Sequence, residues 1–398
     1  MYNPIFGVRK EKNMKIIFDR QKILGDISPL MCAVSGKAVL TAIEGILIEA
    51  KMPDQCVMTT YDLEKGVKIT VEATVLEEGS YIINAQKFFQ TMKVMNSDEV
   101  TLTVDSKLSA CIESGKSSYK MSALNASDFP EIPKLKSSMS FTLKQSVLKE
   151  MISQTMYAMG VNDQRGILNG TYFVVREENL MLVSCDSFKL AKCTRKTEIE
   201  NTSNDGDRLS YNFIVPIKTI NELYKLLSDD DESLTQLYYT RKYIIFEIGD
   251  IIFFSRLIDG QYIDYDRIII KNHSVKLTLN KSELLAALER AALVTEERIA
   301  GNTRSHVRLD LCGNTMAISA NSAIGSTYDE VEVVHEGNDM FIAFNNRFLI
   351  DSVRACRSER MVISMSSALT SINIEPEENE DGGEDIFMLL PVRMKDRV

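Results

Sequence analysis

Three stretches of the chain repeat one pattern, and that repetition limits the fold more than any other feature. They read YIINAQKFFQTMKVM from Tyr81, NFIVPIKTINELYKLL from Asn212 and MFIAFNNRFLIDSVRAC from Met340, a spacing of about 130 residues. Each runs from a short strand straight into an amphipathic helix. An earlier helix opens each copy, over 21–34, 145–159 and 282–297. Its apolar residues recur three and four apart, as in Ile23, Ile27 and Leu30 or Leu285, Leu288 and Ala292. Ser282, with Leu284 and Leu285 behind it, reads as an N-cap region.

Between the two helices lie the strands GILIEA at 45–50, GTYFVV at 170–175 and VRLDL at 307–311, each followed by a strand with a turn. Every copy closes in further β-rich segments. Polar stretches at 134–140 (KLKSSMS) and 271–274 (KNHS) separate the copies and predict domains over 14–134, 141–270 and 274–398. Residues 1–13 are expected to be a tail, with Met14 as the start of the first domain. Similar units stacked on their neighbours make a curved array. That array is either an open solenoid or, doubled by a twofold axis, a closed ring.

The composition fits this organisation. A length of 398 residues suits two or three domains, and 44% hydrophobic with 26% charged residues is ordinary for a globular chain. No apolar run reaches the roughly 20 residues of a membrane helix, and the N-terminus lacks an apolar signal core, so a cytoplasmic protein is expected. Seven cysteines are scattered and never spaced C-x-x-C, which predicts reduced core residues rather than disulfides or zinc ligands. The three histidines, His273, His306 and His335, show no metal-binding spacing.

Catalytic signals are weak. Gly115-Lys116-Ser117 echoes the end of a phosphate-binding loop, but Ala110 stands where the first glycine belongs, so a hairpin turn is expected. The acidic runs Asp229-Asp230-Asp231-Glu232 and Glu377, Glu378, Glu380, Asp381, Glu384 and Asp385 read as solvated loops. No G-x-S-x-G, His/Cys pair or dinucleotide fingerprint occurs, and no cofactor is expected. An enzyme is disfavoured, although carboxylates paired only by folding stay open as a reading, as does a repeat scaffold that binds proteins alone.

One segment carries a resemblance. Ser114-Gly-Lys-Ser-Ser-Tyr-Lys-Met-Ser-Ala-Leu-Asn-Ala-Ser-Asp-Phe-Pro-Glu-Ile resembles the close of the first domain in the bacterial DNA polymerase III beta subunit (beta sliding clamp) family. Leu168-Asn-Gly, Cys185-Asp-Ser-Phe-Lys-Leu-Ala, Asp259-Gly-Gln-Tyr-Ile-Asp-Tyr and the ending Met388-Leu-Leu-Pro-Val-Arg-Met agree in order. The resemblance spans Met14 to the C-terminus. It implies an α+β fold of three repeated sliding-clamp domains, each with two helices and antiparallel sheets, forming a closed dimeric ring. It further implies a DNA polymerase processivity factor that encircles duplex DNA and slides. Its partners would be the replicative DNA polymerase alpha subunit, a clamp loader complex and other clamp-binding-motif proteins.

A net charge of −10 argues against a DNA partner until its distribution is considered. The six helical segments sum to +2, which leaves −12 for the remainder. A less acidic hole inside an acidic rim permits weak, sequence-independent phosphate contacts. Lys37 and Arg165 match or neighbour family DNA-contacting positions, and the helix reading adds Lys93, Arg347, Arg354 and Arg357. Gly166 and Ile167 replace two tyrosines found in some members.

The resemblance also implies a pocket for a short peptide with a Gln and large apolar residues. Its positions are Leu168, Cys185, Ser187, Phe188, Lys189, Leu190, Ile263, Arg267, Ile268, Met388, Leu389, Leu390, Pro391, Val392, Arg393 and Met394. Phe188 stands where many members have His, Ile263 where many have Pro, and 395–398 extend past the usual end. The ring would close between Lys116, Tyr119, Lys120 and Met121 of one copy and Leu293 and Val294 of the other. Lys116 and Lys120 are expected to face Asp329, Glu330 and Glu332.

Overall fold

The computed structural model describes residues 13–36, 40–203, 208–295, 306–379 and 382–394. Lys37, residues 1–12, the end of the helix expected over 282–297, Glu380, Asp381 and 395–398 lie outside the described residues.

Among the described residues there are six α-helices: α1 (Arg20–Leu30), α2 (Ala85–Val94), α3 (Gln145–Thr155), α4 (Ile217–Leu226), α5 (Lys281–Thr295) and α6 (Asn346–Ala355). They are the six that the periodicity predicts. The last turns of α1 and α3 tighten into 3-10 segments, Met31–Ala33 and Met156–Ala158, which is why both stop short of the expected ends. Short polar side chains set the starts. Asp19 Oδ1 accepts from the Gln21 and Lys22 amides at 2.9 Å, Asn84 Oδ1 from Lys87 at 3.0 Å, and Asn345 Oδ1 from Phe348 at 3.3 Å. For α5 the cap is Asn280, whose Oδ1 accepts from the Ser282 amide at 2.9 Å. Ser282, expected in the cap region, lies in the first turn instead, because Asn280 stands just before the helix and its side chain already accepts from the free Ser282 and Glu283 amides.

The chain divides into two compact bodies, Met1–Phe141 with Ser203–Asp205 and Leu234–Arg256, and Thr142–Thr202 with Gly206–Ser233 and Leu257–Val398. In the first body, four antiparallel strands lie in the order Lys65–Glu72, Gln55–Tyr61, Gly45–Lys51 and Gly79–Asn84. A second run follows the order Ser117–Asn125, Ser109–Ser114, Glu99–Val104, Met14–Asp19 and Thr74–Glu77. On the far side of the first run, Lys65–Glu72 pairs with Ile251–Arg256, which brings in Tyr243–Ile248 and Leu234–Tyr239 from the second copy. At this junction Gly66 sits opposite Phe254, and a Cβ on it would lie 2.2 Å from the ring. Glycine is the residue that lets the aromatic ring cross the strand so closely.

The second body repeats the arrangement. One nine-stranded sheet orders Ser210–Pro216, Gly170–Arg176, Asn179–Cys185 and Lys189–Lys196, then Glu384–Leu389, Ile372–Pro376, Arg360–Met365, Val275–Asn280 and Val334–Glu336. The first four are the second copy's four-strand run, and the next five are the third copy's five-strand run. They join where Leu190 pairs with Met388, Lys192 with Ile386 and Thr194 with Glu384. The third copy's own four-strand run, Gly325–Glu332, Thr315–Ser322, Val307–Cys312 and Met340–Phe344, forms a separate sheet.

Both junctions therefore use the same rule. The last strand of one copy pairs with the outermost strand of the preceding copy's four-strand run. Applied along the chain, the rule leaves one edge of each kind over. Residues 117–121 pair only with Ser109–Ser114, and Gly325–Glu332 pairs only with Thr315–Ser322, among the described residues.

The expected polar loops and turns follow their local chemistry except at Glu384 and Asp385, which open a strand rather than a solvated loop, with Asp385 buried at 7% because it meets Arg195. Gly115 takes a φ of 59°, a left-handed turn between Ser109–Ser114 and Ser117–Asn125, as the hairpin reading requires. Asp229 pairs with Lys149 of α3 at 2.6 Å, and Asp230 accepts from Ser233 of its own loop at 2.7 Å. All seven cysteines are free. Cys56, Cys185, Cys193 and Cys356 are buried as expected, whereas Cys32 and Cys111 are half-buried. Cys312 is exposed, because it closes its strand at the turn into Gly313.

The junction in the second body carries a largely buried polar network. Arg195 grips Asp385 with both terminal nitrogens, and its Nη2 also donates to Gln154 at 2.7 Å and Glu150 at 3.1 Å. Gln154 in turn donates to Asp385 at 2.9 Å. Removing one partner strands the other charge without its counterion. Asp385→Ala is expected to cost about 3–5 kcal/mol in urea unfolding. A loss below about 1 kcal/mol would show that water replaces the carboxylate at this junction.

Candidate functional site

The strand alternation at the Lys189–Lys196 and Glu384–Leu389 junction builds an apolar patch. Leu168, Val183, Cys185, Leu190, Ile214, Tyr262, Ile269, Ile386 and Met388 form one buried cluster. Tyr172 stacks on Tyr262 at 4.8 Å between ring centroids. Ile263, Ile167 and Tyr265 pack on the cluster while partly exposed. Around it stand exposed apolar side chains: Phe188 at 55%, Ile268, Leu390 and Val392. A buried apolar floor with an exposed apolar rim is a surface that accepts apolar side chains from a partner.

Most of the expected pocket residues meet here. Leu168, Cys185, Leu190 and Met388 are floor and Ile263 packs on it; Phe188, Ile268, Leu390 and Val392 are exposed, with the Phe188 ring 6.0 Å from that of Phe348 and the Val392 amide donating to the Ala343 carbonyl at 2.7 Å. Two are not. Lys189 and Leu389 are cross-strand partners one residue out of phase with Leu190 and Met388, so the pleat turns them to the opposite face. There the Lys189 ammonium pairs with Asp186 and lies 5.0 Å over the Phe348 ring of α6. Arg267 is exposed and holds Asp264 at 2.8 Å. Ser187 accepts from Arg165, and Pro391, Arg393 and Met394 continue past the last strand.

Sequence reasoning missed Val183, Ile214, Tyr262, Ile269 and Ile386. The alternation Met181, Val183, Cys185 along Asn179–Cys185 carries the signal for one of them.

The turn holding Phe188 has a local cause. Asp186 Oδ1 accepts from the amides of Phe188 at 2.6 Å and Lys189 at 2.9 Å, which locks the turn and projects Phe188 outward. The first copy has the same device, with Asp62 accepting from Glu64 at 2.9 Å and Lys65 at 2.8 Å. Burial pushes the Cys185 thiol up to about 12, with nearby Asp186 adding to the shift, so it packs as a neutral group. No cluster of three or more metal-ligating side chains occurs among the described residues.

The expected DNA contacts occupy three settings. On α2, α4 and α6 the ninth residue after the N-cap is basic each time: Lys93, Lys225 and Arg354. All three are exposed in the last turn, where a cation also favours the helix dipole. Lys93 lies 4.1 Å over Phe89, Lys225 pairs with Glu222 at 3.0 Å, and Arg354 with Glu289 at 2.7 Å. Lys225 was missed, although its equivalent spacing is readable in the sequence. Arg347 shares the exposed face of α6, seven residues before Arg354. Arg357 follows α6 and pairs with Glu150 at 2.8 Å. Arg165 is bound on its own loop, donating to Asp163 at 3.0 Å and to Ser187 at 2.8 Å.

The two unpaired edges carry the remaining expected residues. Tyr119 and Met121 share one face of their strand, with Lys120 on the other. Across the molecule's other free edge, Tyr328 is 65% exposed and Leu293 on α5 is 75% exposed. Val294, expected beside Leu293, is only 9% exposed and is a core residue, because the helix turns it inward by about 100°. Asp329, expected to face a lysine, is already held by Arg290 Nη2 at 2.8 Å and by Arg290 Nε at 3.0 Å. No helix among the described residues is long and apolar enough to cross a membrane.

Comparison with known proteins places this geometry. Domain models of one family match the chain in order: DNA polymerase III beta subunit, N-terminal domain over 14–133, central domain over 142–264 and C-terminal domain over 266–389. Beta sliding clamps of Staphylococcus epidermidis and Staphylococcus aureus are 26% identical over 390 residues, covering 96% of this chain and 99% of theirs. The sliding clamp from Bacillus subtilis superposes with a TM-score of 0.89 at 25% identity, covering 96% of this chain and 100% of that one. A putative DNA polymerase III beta subunit from Eubacterium rectale does so at 0.87 and 26%, with the same coverage. A Pseudomonas aeruginosa clamp bound to griselimycin is similar at 0.84 and 25%, also over 96% of this chain and 100% of that one. Three ordered domain matches, full-length relatives and a shared fold agree that this chain belongs to the DNA polymerase III beta subunit family of sliding clamps.

Proposed function

We propose that two copies of this chain close head to tail into a ring around duplex DNA and act as a polymerase processivity factor. The observation that carries this reading is the pair of leftover edges. Residues 117–121 are the first copy's equivalent of the strands that pair at both junctions, and Gly325–Glu332 is the third copy's equivalent of their partners. A second chain satisfies both edges by the rule already used twice. Tyr119, Met121, Tyr328 and Leu293 would bury apolar surface across that joint, and Lys116 and Lys120 would meet Glu330 and Glu332.

Domains over 14–134, 141–270 and 274–398 would each present their helices to the DNA. Lys93, Lys225, Arg347 and Arg354 would contact phosphates, with Arg165, Arg357 and Lys37 near the path. Lys37 lies outside the described residues; each of the other cations is exposed, and most share a carboxylate or a ring within their own chain, so every contact would be weak. Weak contacts read no sequence and allow sliding, while enclosure prevents escape. The protein is non-catalytic and works in the cytoplasm. The apolar pocket tethers the replicative polymerase, the clamp loader and other proteins that carry a short peptide with Gln and large apolar residues. Its exposed Phe188 in place of a polar ring favours bulky apolar anchors.

Three outcomes are expected. Protein loaded onto closed circular DNA by its clamp loader will stay bound through gel filtration and leave after a single restriction cut; equal retention on linear DNA would refute enclosure. Tyr119→Ala with Leu293→Asp will weaken the dimer by roughly 30-fold or more, as expected for loss of central apolar anchors, and sedimentation at sub-micromolar concentration will show monomer. Phe188→Ala with Leu390→Ala will weaken binding of a fluorescent Gln/Leu/Phe peptide by ~10-fold in anisotropy without changing the dimer.

A further inference from the structure

Beyond Ile386 the apolar stripe on the Glu384–Leu389 face turns polar, and a cavity of about 420 Å³ opens there. Ile269 and Ile386 belong both to the pocket cluster and to the cavity wall, so the two are continuous. Met388, Ile386 and Glu384 follow one another at two-residue steps, roughly 7 Å apart along the strand. An extended peptide advances by the same step. A chain whose apolar residues sit over Met388 would therefore place a residue two or four positions on at this cavity.

The groups that line it are not all satisfied from within. Lys192 is occupied, 2.6 Å from Glu384 and 3.9 Å from Asp266. Lys271 and Lys276 are exposed, line the same cavity and have no ion pair among the described residues. Asn373 is 4% exposed; its Nδ2 donates to the Ile270 carbonyl at 2.8 Å, and its side chain faces the His273 ring. His273 Nδ1 lies 3.1 Å from Ser366 Oγ, and the ring also meets the Asn373 side chain, so these buried polar groups answer one another. Burial lowers the His273 pKa, so the ring is neutral at pH 7 and the lysines supply the positive charge. The groups on this wall that stand open to an anion are therefore the two lysine ammoniums. Glu375 is the opposing acid on the wall, and Glu336 stands across from Lys276 in the strand pairing. Burial raises the Glu375 pKa, with Glu384 adding to it and Lys276 opposing it.

We propose that this cavity is a polar subsite for an acidic side chain of the partner peptide, held by Lys271 and Lys276, with the apolar residues of the same peptide in the groove. The inference rests on the pocket reading above. It adds charge specificity at a position beyond the apolar anchors, which the groove alone does not supply.

The test uses the full-length protein and a set of peptides with identical Gln, Leu and Phe anchors. Flanks on either side carry Asp or Glu, their Asn or Gln counterparts, or Lys. One acidic arrangement is expected to bind ~5-fold tighter than its neutral counterpart, as for a charge-assisted contact at a half-open site. That advantage is expected to vanish in Lys271→Ala with Lys276→Ala, with the neutral peptide bound equally by both proteins. Neutral peptides that bind while no acidic flank gains would overturn the subsite and leave the pocket standing. So would an advantage that survives the double substitution, or a preference for Lys. Failure of every peptide to bind would overturn the pocket reading and the subsite with it.

Discussion

The structure depends on the hydrogen-bonding capacity of strand edges. A strand at the end of a sheet presents a row of unpaired amides and carbonyls, which natural sheets cover, charge or pair. This chain pairs them, by the same contact each time: Ile251–Arg256 on Lys65–Glu72, and Glu384–Leu389 on Lys189–Lys196. The side chains at each contact are fitted to it. Gly66 makes room for Phe254 in one, and Arg195 with Asp385, Glu150 and Gln154 closes the other. Because the copies are alike, the contact is extensible, and a chain of three copies must end in two complementary edges.

The candidate pocket is a by-product of the second junction. Its floor takes Leu168, Cys185 and Leu190 from one copy and Met388 from the next, so it forms only where the two runs meet. The equivalent junction in the first body places Phe254 over Gly66, and Tyr61, Ile245, Phe129, Ile132 and Leu135 pack with that ring. One architectural contact thus yields a filled joint in one place and a binding groove in another, according to the side chains on its outer face.

Much of this was legible in the sequence. The strand-to-helix segments from Tyr81, Asn212 and Met340 placed α2, α4 and α6, because an amphipathic period and an apolar strand are local signals. What failed depended on phase or on competition. Lys189 and Leu389 lie in the right motifs but on the wrong face of the pleat, and Val294 is one helical step from the exposed Leu293. Asn280 took the cap expected near Ser282, and Arg290 took the carboxylate expected to await a lysine. Tyr262 and Ile386 were invisible because their partners are distant in sequence. Lys225 was overlooked although its position after the N-cap matches Lys93 and Arg354. The polar cavity beside Lys271 and Asn373 has no sequence signature, since it joins segments about 100 residues apart.

Net acidity and DNA enclosure are compatible here because the binding free energy is placed in the joints rather than on the DNA. The cations on the exposed helix faces are few and internally shared, so in the proposed ring the duplex would be held by topology, and the edges of the chain would hold the topology. Amide hydrogen exchange reads those edges directly. At micromolar protein, the amides of 118–121 and of the outer edge of Gly325–Glu332 are predicted to exchange slowly. At nanomolar protein, where the joint dissociates, they are predicted to exchange at the rate of open strands, while the inner strands stay protected. Fast exchange at both concentrations would mean that the two edges never pair and would contradict the account.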